Sequence, residues 1–565
     1  MKKILLSVAC VALAVPFLTS CIEEIDPQTS YVTEKQASDT PGFFESSVAS
    51  LTSNLCGKFT YSGSDNHPYD FGYPSFFLQR DAMGQDMVTA GTNNWYATWY
   101  EASYGLGPTY ARCQVPWTYY YQWIDNCNKV ILLYKSAPEG RESGAGIAYA
   151  MRAMFYQDIV RMYAAKPYAL DPEAETVPLV LDDTQISSEN PRATFKAAYE
   201  QILSDLDEAE KLLAGFKRSN VYTPDLSVVY GLKARAYLEI QDWANAEKYA
   251  KQAQNGYSMM SEDEYLSRDY GFNSPNSSWM FAVTFNDTDP NIKDNDGDSS
   301  WGSIMILENG FDCGYAANYG GPMLIDRHLY ETIPASDFRK KCWIDFGIDE
   351  MSEGDAIDAL GAYTYYPEQI LNAANTAQVG VGGMELKFRP QAGKYWTKYD
   401  AWVVAVPLMR VEEMKLIEIE AAGMQNEANG IAKLTEFAKT RDPFYEYGGH
   451  NDAYGNTGST LFQNEVWWQR RVELWGEGFA TFDMKRLNKA IIRNYANTNH
   501  LEGNKWNFVN QEGDRTGTGN EDGTDRCYPK WMNLCIVQTE TNYNYACTNN
   551  GTPDAPTTDS EPYEW

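Results

Sequence analysis

The sequence predicts a mainly α-helical protein that is built from paired helices and carries a loop-rich face and a few short strands. Two observations lead to this fold class. Apolar side chains recur at three- and four-residue spacing in several long segments, which is the period of a helix with one buried face. Between these segments lie stretches rich in Gly, Asn and Asp, and long loops on a helical scaffold usually carry function. The loop-like stretches are residues 61–74, 286–322, 350–384, 448–460 and 496–526.

The first predicted helices lie in the amino-terminal half of the chain. Residues 117–134 and 145–163 each carry an apolar stripe at helical spacing. A third helix is predicted over 191–213. Thr194 is suited to cap its amino-terminal end, and Gly215 is suited to stop it.

Residues 226–254 have the spacing of a tetratricopeptide helix pair. In that motif small residues let two antiparallel helices approach closely, and an aromatic ring fills the gap between them. Gln241 and Asp242 form the predicted turn between the two helices. The residues that fit the motif are Ala234, Tyr237, Ala246, Ala250 and Ala253.

The carboxy-terminal half repeats this organisation. A second helix pair is predicted over 410–441, and one further helix over 464–492. The short run WMFAVTF at 279–285 predicts a small strand. The chain therefore divides into a helix-rich region, 41–270, and a second region with loop insertions, 271–565.

Composition excludes several classes of protein. Acidic residues number 77 against 46 basic ones, and the formal net charge of −31 repels phosphate backbones, so we expect no nucleic-acid partner. The chain has four histidines, none within three to five residues of another, which argues against a histidine-centred metal site. It contains neither a GxxxxGK[ST] phosphate loop nor a GxSxG nucleophile elbow. We expect no cofactor.

The amino terminus indicates the compartment. Two lysines precede an apolar run from Ile4 to about Leu18, which is too short to span a bilayer permanently and is typical of a secretory signal. The run ends in Leu-Thr-Ser-Cys, which resembles the bacterial lipobox with Cys21 as the lipidated residue. Residues 1–20 are then the signal peptide and 21–40 a lipidated tether. The alternative is an ordinary signal peptide with a coincidental cysteine.

Eight cysteines remain in the mature chain after signal removal and lipidation of Cys21. An even number outside the cytoplasm permits disulfides, but the sequence does not give their pairing. Some of them are equally compatible with free thiols in the core.

Six segments carry a family resemblance. They are RAMFYQDIVRMY at 152–163, SDLDEAE at 204–210, LKARAYL at 232–238, MRVEEM at 409–414, RRVELWGEG at 470–478 and DMKR at 483–486. In this order, and behind a lipobox, they resemble the SusD/RagB family of outer-membrane lipoproteins. The resemblance spans Cys21 to about Asn544.

The resemblance implies a binding protein and not an enzyme. SusD-like proteins cover a SusC-like TonB-dependent transporter and capture glycans, or in some cases peptides, at the cell surface. It therefore implies a protein that is lipid-anchored in the outer membrane, faces the cell exterior and has a SusC-like partner. Acidic residues directly after Cys21 resemble the signal for export to the outer face.

Aromatic residues are the first candidates for binding a sugar, because their planes stack on the C–H faces of pyranose rings. They make up 14% of the chain and are densest over 95–123. Those next to the loop-like segment 91–94 are candidates for an exposed platform, with buried packing as the alternative. The aromatic candidates are Trp95, Tyr96, Trp99 and Tyr100, joined by a second cluster of Trp301, Tyr315 and Tyr319.

Polar neighbours are candidates for hydrogen bonds to sugar hydroxyls. They are Arg80, Asp81, Asp86 and Asn93, and the alternative for the charged ones is a solvated surface. The resemblance further implies that the 80–100 region and the 286–322 region approach each other at the ligand face.

The sequence offers two further candidate sites, an acidic loop for calcium and a carboxylate pair for hydrolysis. Asp294, Asp296 and Asp298 surround Gly297, but an EF-hand register would place Ile292 at the first ligand position, so that motif fails. An irregular calcium site and a merely solvated acidic loop both remain open. A helical glycoside hydrolase would use two carboxylates that flank the scissile bond, and Glu473 and Glu477, one helical turn apart, are the obvious pair. A packing network with the neighbouring arginines is the favoured interpretation.

Overall fold

In the computed structural model the chain is about half helical over the residues that the structure describes. These residues are 40–57, 69, 71–89, 95–102, 104–182, 185–289, 292, 300–309, 314–392, 394–395, 399–452, 454, 459–508, 532–553, 555 and 561–565.

The helices are short in the first part of the chain and long in the paired region. The amino-terminal ones are α1 Phe43–Ser53, α2 Ser75–Ala82, α3 Ala97–Glu101, α4 Ala111–Ser136, α5 Glu142–Tyr163, α6 Phe195–Leu212, α7 Leu226–Glu239, α8 Trp243–Ala253 and α9 Glu262–Tyr265. The later ones are α10 Trp301–Met305, α11 Tyr315–Asn318, α12 Arg327–Thr332, α13 Glu353–Leu360, α14 Pro367–Ala377, α15 Val411–Gln425, α16 Glu427–Lys439, α17 Leu461–Glu473, α18 Ala480–Arg486 and α19 Gln538–Thr541.

Paired helices form the scaffold. Consecutive helices pack against each other from α4 through α8. Helix α15 packs on both α7 and α8, and α15, α16 and α17 pack against one another. The alanines that fit the tetratricopeptide spacing are fully buried, and Tyr237 stacks on Tyr249 with ring centroids 5.6 Å apart. Small residues therefore set the close approach of α7 and α8, as the sequence predicts.

Local signals place several helix ends correctly. The Thr194 hydroxyl accepts the N–H of Ala197, and the Asp242 carboxylate accepts that of Asn245, so both side chains act as caps. Gly215 has a φ of +81° and ends the α6 segment in the left-handed conformation that suits glycine. The predicted fold class, mainly helical with helix pairs and few short strands, is confirmed.

Two predictions along the chain are wrong. The single helix predicted over 464–492 is two helices, α17 and α18, because Gly476 and Gly478 between them have φ values of +76° and +82°. The stretch 350–384, predicted as loop, contains α13 and α14, whose capping residue Ser352 and first-turn Pro367 are ordinary helix-start signals.

The strands form antiparallel pairs in the described part of the chain. They are β1 Met87–Thr89 with β5 Met323–Ile325, β2 Glu175–Pro178 with β3 Arg192–Thr194, β4 Trp279–Thr284 with β6 Ala405–Arg410, and β7 Ile491–Ile492 with β8 Asn507–Phe508. β4 confirms the strand predicted at 279–285. Its partner β6 leads directly into α15, so this pair connects the start of the second region to the helical scaffold.

Residues 45–565 form one compact unit. Residues 45–270 and 271–565 both belong to this unit. Of the separate unit 1–44, the described part is 40–44, a turn and the first residues of α1. Among the described residues no helix has the length and apolar character needed to span a membrane.

Candidate functional site

The strand pair β1–β5 brings the two regions that carry the candidate aromatics together. Thr89 pairs with Met323 in an antiparallel register, so the chain after Thr89 and the chain before Met323 lie at the same end of this pair. Trp95 follows six residues after Thr89 and Tyr319 precedes Met323 by four. The strand pair joins the 80–100 region to the residues directly after the 286–322 region, and the approach of the two regions at a ligand face stays a prediction. We call Trp95 and Tyr319 the aromatic rim.

Both rings of the aromatic rim are open to solvent. Trp95 is 40% exposed and Tyr319 is 48% exposed. Tyr319 lies against Tyr315 with ring centroids 6.2 Å apart, and the Tyr315 amide donates to the Ser303 hydroxyl. A side chain on Gly321 would collide with the Tyr315 ring, so glycine is required for this packing. The buried Tyr315 thus supports the exposed Tyr319.

The remaining candidate aromatics are buried, so the exposed platform predicted for them is wrong. Tyr96 and Trp99 pack together with ring centroids 5.6 Å apart. The Tyr100 hydroxyl forms a 2.6 Å hydrogen bond with His500 Nδ1. Trp301 packs edge-on against Phe388, and these rings form part of the core. The alternative that the sequence left open, buried packing, holds for these rings.

Arg80 is buried and lies in an ion pair, not on a binding surface. Its Nη1 lies 3.0 Å from Asp158 Oδ2, and the same carboxylate accepts the hydroxyls of Tyr73 and Tyr120. Arg161 Nη2 donates to Asp158 Oδ1 at 2.8 Å. The Arg80 charge therefore stabilises the contact between α2 and α5.

Asp81 and Asp86 are buried as well. The Asp81 carboxylate accepts the backbone N–H groups of Gly478 and Ala480, and burial raises its pKa to about 7 although these two hydrogen bonds oppose the shift. Asp86 forms a two-point ion pair with Arg471, at 2.5 and 2.9 Å. The solvated or ligand-facing positions expected for these three charged residues are wrong.

Five of the candidate residues lie outside the described residues. They are Cys21, Asn93, Asp294, Asp296 and Asp298. Within the described part of the chain, no group of three or more His, Cys, Asp or Glu side chains is arranged to hold a metal ion.

A cleft of about 450 Å³ opens between α4, the segment 178–190 and α19. Trp117 and Tyr121 form one wall, with ring centroids 4.7 Å apart, and Tyr543 and Ile186 stand exposed at its edge. Asn544 closes the far side by hydrogen bonds with the backbone of Asn190. Rings and amide groups that face one open space are also the chemistry of a sugar site. We call this the carboxy-terminal cleft.

A second cleft of about 450 Å³ carries positive side chains. Arg268, Lys341 and Arg389 line it together with Tyr363. Each cation already has a partner: Lys341 pairs with Glu262, Arg389 pairs with Glu308, and Arg268 donates to the backbone and lies over the Tyr365 ring. Ion pairs thus neutralise Lys341 and Arg389, and Arg268 is held by a backbone carbonyl and an aromatic ring.

Glu473 and Glu477 occupy a buried ion network. Glu473 is fully buried and pairs with Arg339, Arg410 and Arg441, and Glu477 pairs with Arg410 and Lys387. Burial acts to raise the pKa of Glu473, but the surrounding cations outweigh it and hold that pKa well below its usual range. A general acid needs the opposite shift and an open approach for substrate. The geometry fits the packing interpretation.

Part of the sequence and the overall fold are similar to known proteins. Residues 63–238 match a SusD-like family model described as starch-binding and associating with the outer membrane. A curated SusD-like protein of Formosa agariphila is 22% identical over 413 residues, which are 68% of this chain and 74% of that protein. A SusD-like carbohydrate-binding protein of Bacteroides vulgatus superposes with a TM-score of 0.65 at 22% identity, covering 90% of this chain and 97% of that one.

Residues 63–238 are thus similar to the SusD-like family, and the chain has the fold of that solved structure. Another solved structure with this SusD-like fold is surface glycan-binding protein A of Bacteroides thetaiotaomicron in complex with laminarihexaose. It superposes with a TM-score of 0.59 at 16% identity and covers 90% of this chain and 99% of that one.

Sequence reasoning missed the carboxy-terminal cleft of this SusD-like protein. Tyr543 and Asn544 belong to the run TNYNYAC, where aromatic and amide residues alternate, and that alternation is the signal that could have indicated it. The partners of this run, Ser188 and Asn190, lie more than 350 residues earlier, and no local pattern announces their contact.

Proposed function

We propose that this SusD-like protein is a lipid-anchored protein of the outer membrane that captures a glycan at the cell surface and delivers it to a SusC-like TonB-dependent transporter, without transforming it. The observation that carries the proposal is the exposure of both rings of the aromatic rim, Trp95 on the segment after β1 and Tyr319 on the segment before β5. Exposed rings on a rigid support suit stacking on pyranose faces.

Similarity supports a glycan as the ligand. Over 90% of its length the chain shares its fold with a protein whose structure was solved in complex with laminarihexaose. The burial and low pKa of Glu473 support binding over hydrolysis. The lipobox at Cys21 supports the anchor and the location.

Calorimetric titration of the purified mature chain against a panel of oligosaccharides, with laminarihexaose as the first probe, tests the ligand class. We expect saturable binding of at least one oligosaccharide and no release of shorter products on prolonged incubation. Saturable binding of peptides with no oligosaccharide bound would replace the glycan by a peptide ligand. Release of shortened products would favour a glycoside hydrolase.

Paired variants test the place of binding. Trp95→Ala combined with Tyr319→Ala should weaken the bound oligosaccharide about tenfold or more, because two stacking contacts are lost. Tyr365→Ala is the matched control, since Tyr365 is 57% exposed and its ring packs against Arg268 and Tyr395. Tyr543→Ala tests the carboxy-terminal cleft. Loss of binding in Tyr543→Ala alone would move the ligand site there.

The anchor and the partner need separate measurements. Labelled fatty acid should enter the wild-type protein and not Cys21→Ser, and protease added to intact cells should cleave the wild type. Affinity purification from detergent-solubilised outer membranes should recover a TonB-dependent transporter in stoichiometric amount. An unlabelled protein inside intact cells, or one purified without a transporter, would contradict the proposal.

A further inference from the structure

The thiols of Cys113 and Cys535 meet at one point of the structure although they are far apart in the sequence. Cys113 lies in the first turn of α4, and Cys535 lies in the segment that precedes α19. Cys113 Sγ is 3.8 Å from the carbonyl oxygen of Leu106, and Cys535 Sγ is 3.3 Å from the same oxygen. Both side chains are completely buried.

The two thiols also contact each other. A hydrogen bond between their side chains is the main influence on the pKa values of both thiols. It raises the pKa of Cys113 and lowers the pKa of Cys535. By comparison, burial is the main influence on the pKa of Cys127, a buried thiol further along α4. Cys127 is therefore a matched reference within one helix.

The backbones that carry the two cysteines are held together on both sides of Cys535. The amide of Leu534 donates to the carbonyl of Met162 at 3.2 Å, and the amide of Gln538 donates to the carbonyl of Pro108 at 3.3 Å. The segment that carries Cys535 is thus hydrogen-bonded to α5 and to the chain just before α4, which holds both thiols beside the Leu106 carbonyl.

We propose that Cys113 and Cys535 form a disulfide bond in the mature protein. The two S–H bonds are lost and one S–S bond forms. The two protons and two electrons pass to a thiol–disulfide oxidant of the cell envelope, whose own disulfide becomes two thiols. The inference rests on the proposed location, because disulfides persist in the envelope and are rare in the cytoplasm.

The bond would fix one wall of the carboxy-terminal cleft. Cys535 is three residues before α19, and α19 carries Glu540, which lines the cleft opposite Trp117 and Tyr121. Cys113 belongs to the same helix as Trp117. A covalent link between Cys113 and Cys535 would therefore tie α4, which carries Trp117 and Tyr121, to the segment that leads into α19.

Peptide mapping tests the inference. Protein from outer-membrane fractions is acid-quenched, denatured and alkylated without reductant, then digested and analysed by mass spectrometry. We expect the peptides of Cys113 and Cys535 as one linked species, lighter by two hydrogen atoms than the separate thiol peptides, and Cys127 fully alkylated. Alkylated thiols at both positions in surface-located protein would overturn the disulfide and leave the proposed function intact.

Thermal unfolding gives a second readout. A reductant should lower the melting temperature of the wild type and of Cys127→Ser, but should not change that of Cys113→Ser or Cys535→Ser. An equal response to reductant in all four proteins would contradict the inference.

Protease accessibility on intact cells separates failure of the location from failure of the disulfide. If the protein proves not to be exported, the proposed function fails, and the purified reduced protein is then treated with oxidised glutathione. Formation of the Cys113–Cys535 link under those conditions supports the inferred pairing, and two free thiols overturn it.

Discussion

Arg152 and Asp205 form a buried, two-point ion pair between α5 and α6. Arg152 Nε lies 2.7 Å from Asp205 Oδ2, and Nη2 lies 2.6 Å from Oδ1. Asn128 of α4 accepts a further hydrogen bond from Arg152, and Gln201 donates to Asp205. The charges of two family-like segments, 152–163 and 204–210, thus recognise each other and join three helices.

Breaking this pair should strongly destabilise the fold. We expect Arg152→Met or Asp205→Asn to lower the free energy of unfolding by about 3–5 kcal/mol, because each change leaves one buried charged partner uncompensated. The double variant should lose less than the sum of the single losses. Denaturant unfolding checks this. Asp125→Asn breaks the exposed Lys129 pair on α4 and should change stability by less than about 1 kcal/mol.

Glu473→Gln should act on stability and not on chemistry. Removing the Glu473 charge leaves Arg339, Arg410 and Arg441 without a shared counter-charge, and we expect a loss of about 3 kcal/mol or more in the free energy of unfolding. At temperatures where the variant is folded, its oligosaccharide affinity should equal that of the wild type. A hydrolytic activity of the wild type that Glu473→Gln abolishes would contradict the packing role.

Gly430→Ala should loosen the contact between α15 and α16. A methyl carbon on Gly430 would lie 2.3 Å from Cα of Gly423, so one helix must move. Overpacking of this kind lowers stability by about 1–3 kcal/mol. Gly354→Ala in α13 is the control, since its methyl group meets nothing within 4 Å, and it should be neutral or slightly stabilising. Melting temperatures of the two variants decide the point.

His450 should make the protein less stable below neutral pH. Its ring stacks on Trp468 with centroids 3.6 Å apart, and burial, followed by the Arg339 charge, lowers its pKa from 6.5 to about 4. The unfolded chain therefore binds a proton that the folded chain does not, and stability is lost as pH falls from 6.5 towards 4.

His450→Phe keeps an aromatic ring against Trp468 and removes the titrating group. Between pH 7 and pH 5 the wild type should lose about 1–2 kcal/mol more than this variant, measured by denaturant unfolding at both pH values. Equal losses in the two proteins would show that the folded His450 takes up its proton freely.

The helical scaffold could be predicted because its determinants are local. Thr194, Gly215 and the buried alanines of α7 and α8 act within one or two turns of their own positions. The break between α17 and α18 was also present locally, in Gly476 and Gly478, but the apolar periodicity on either side concealed it.

The candidate site could be predicted only in part, because burial depends on distant partners. Asp86 looks like a surface charge until Arg471, 385 residues later, is placed beside it. Arg80 likewise meets Asp158 from another helix. The segments that carry Trp95 and Tyr319 are connected through the pairing of β1 with β5, and three-residue strands carry almost no sequence signal.

The junction of the segment 532–538 with Pro108 and Met162 has a consequence for biogenesis. A chain synthesised from its amino terminus completes α4 and α5 long before residue 534 arrives to pack against Met162. Contacts across such a sequence separation form late and slow folding. A chaperone that shields this part of α4 and α5 during the interval would protect the nascent protein from aggregation.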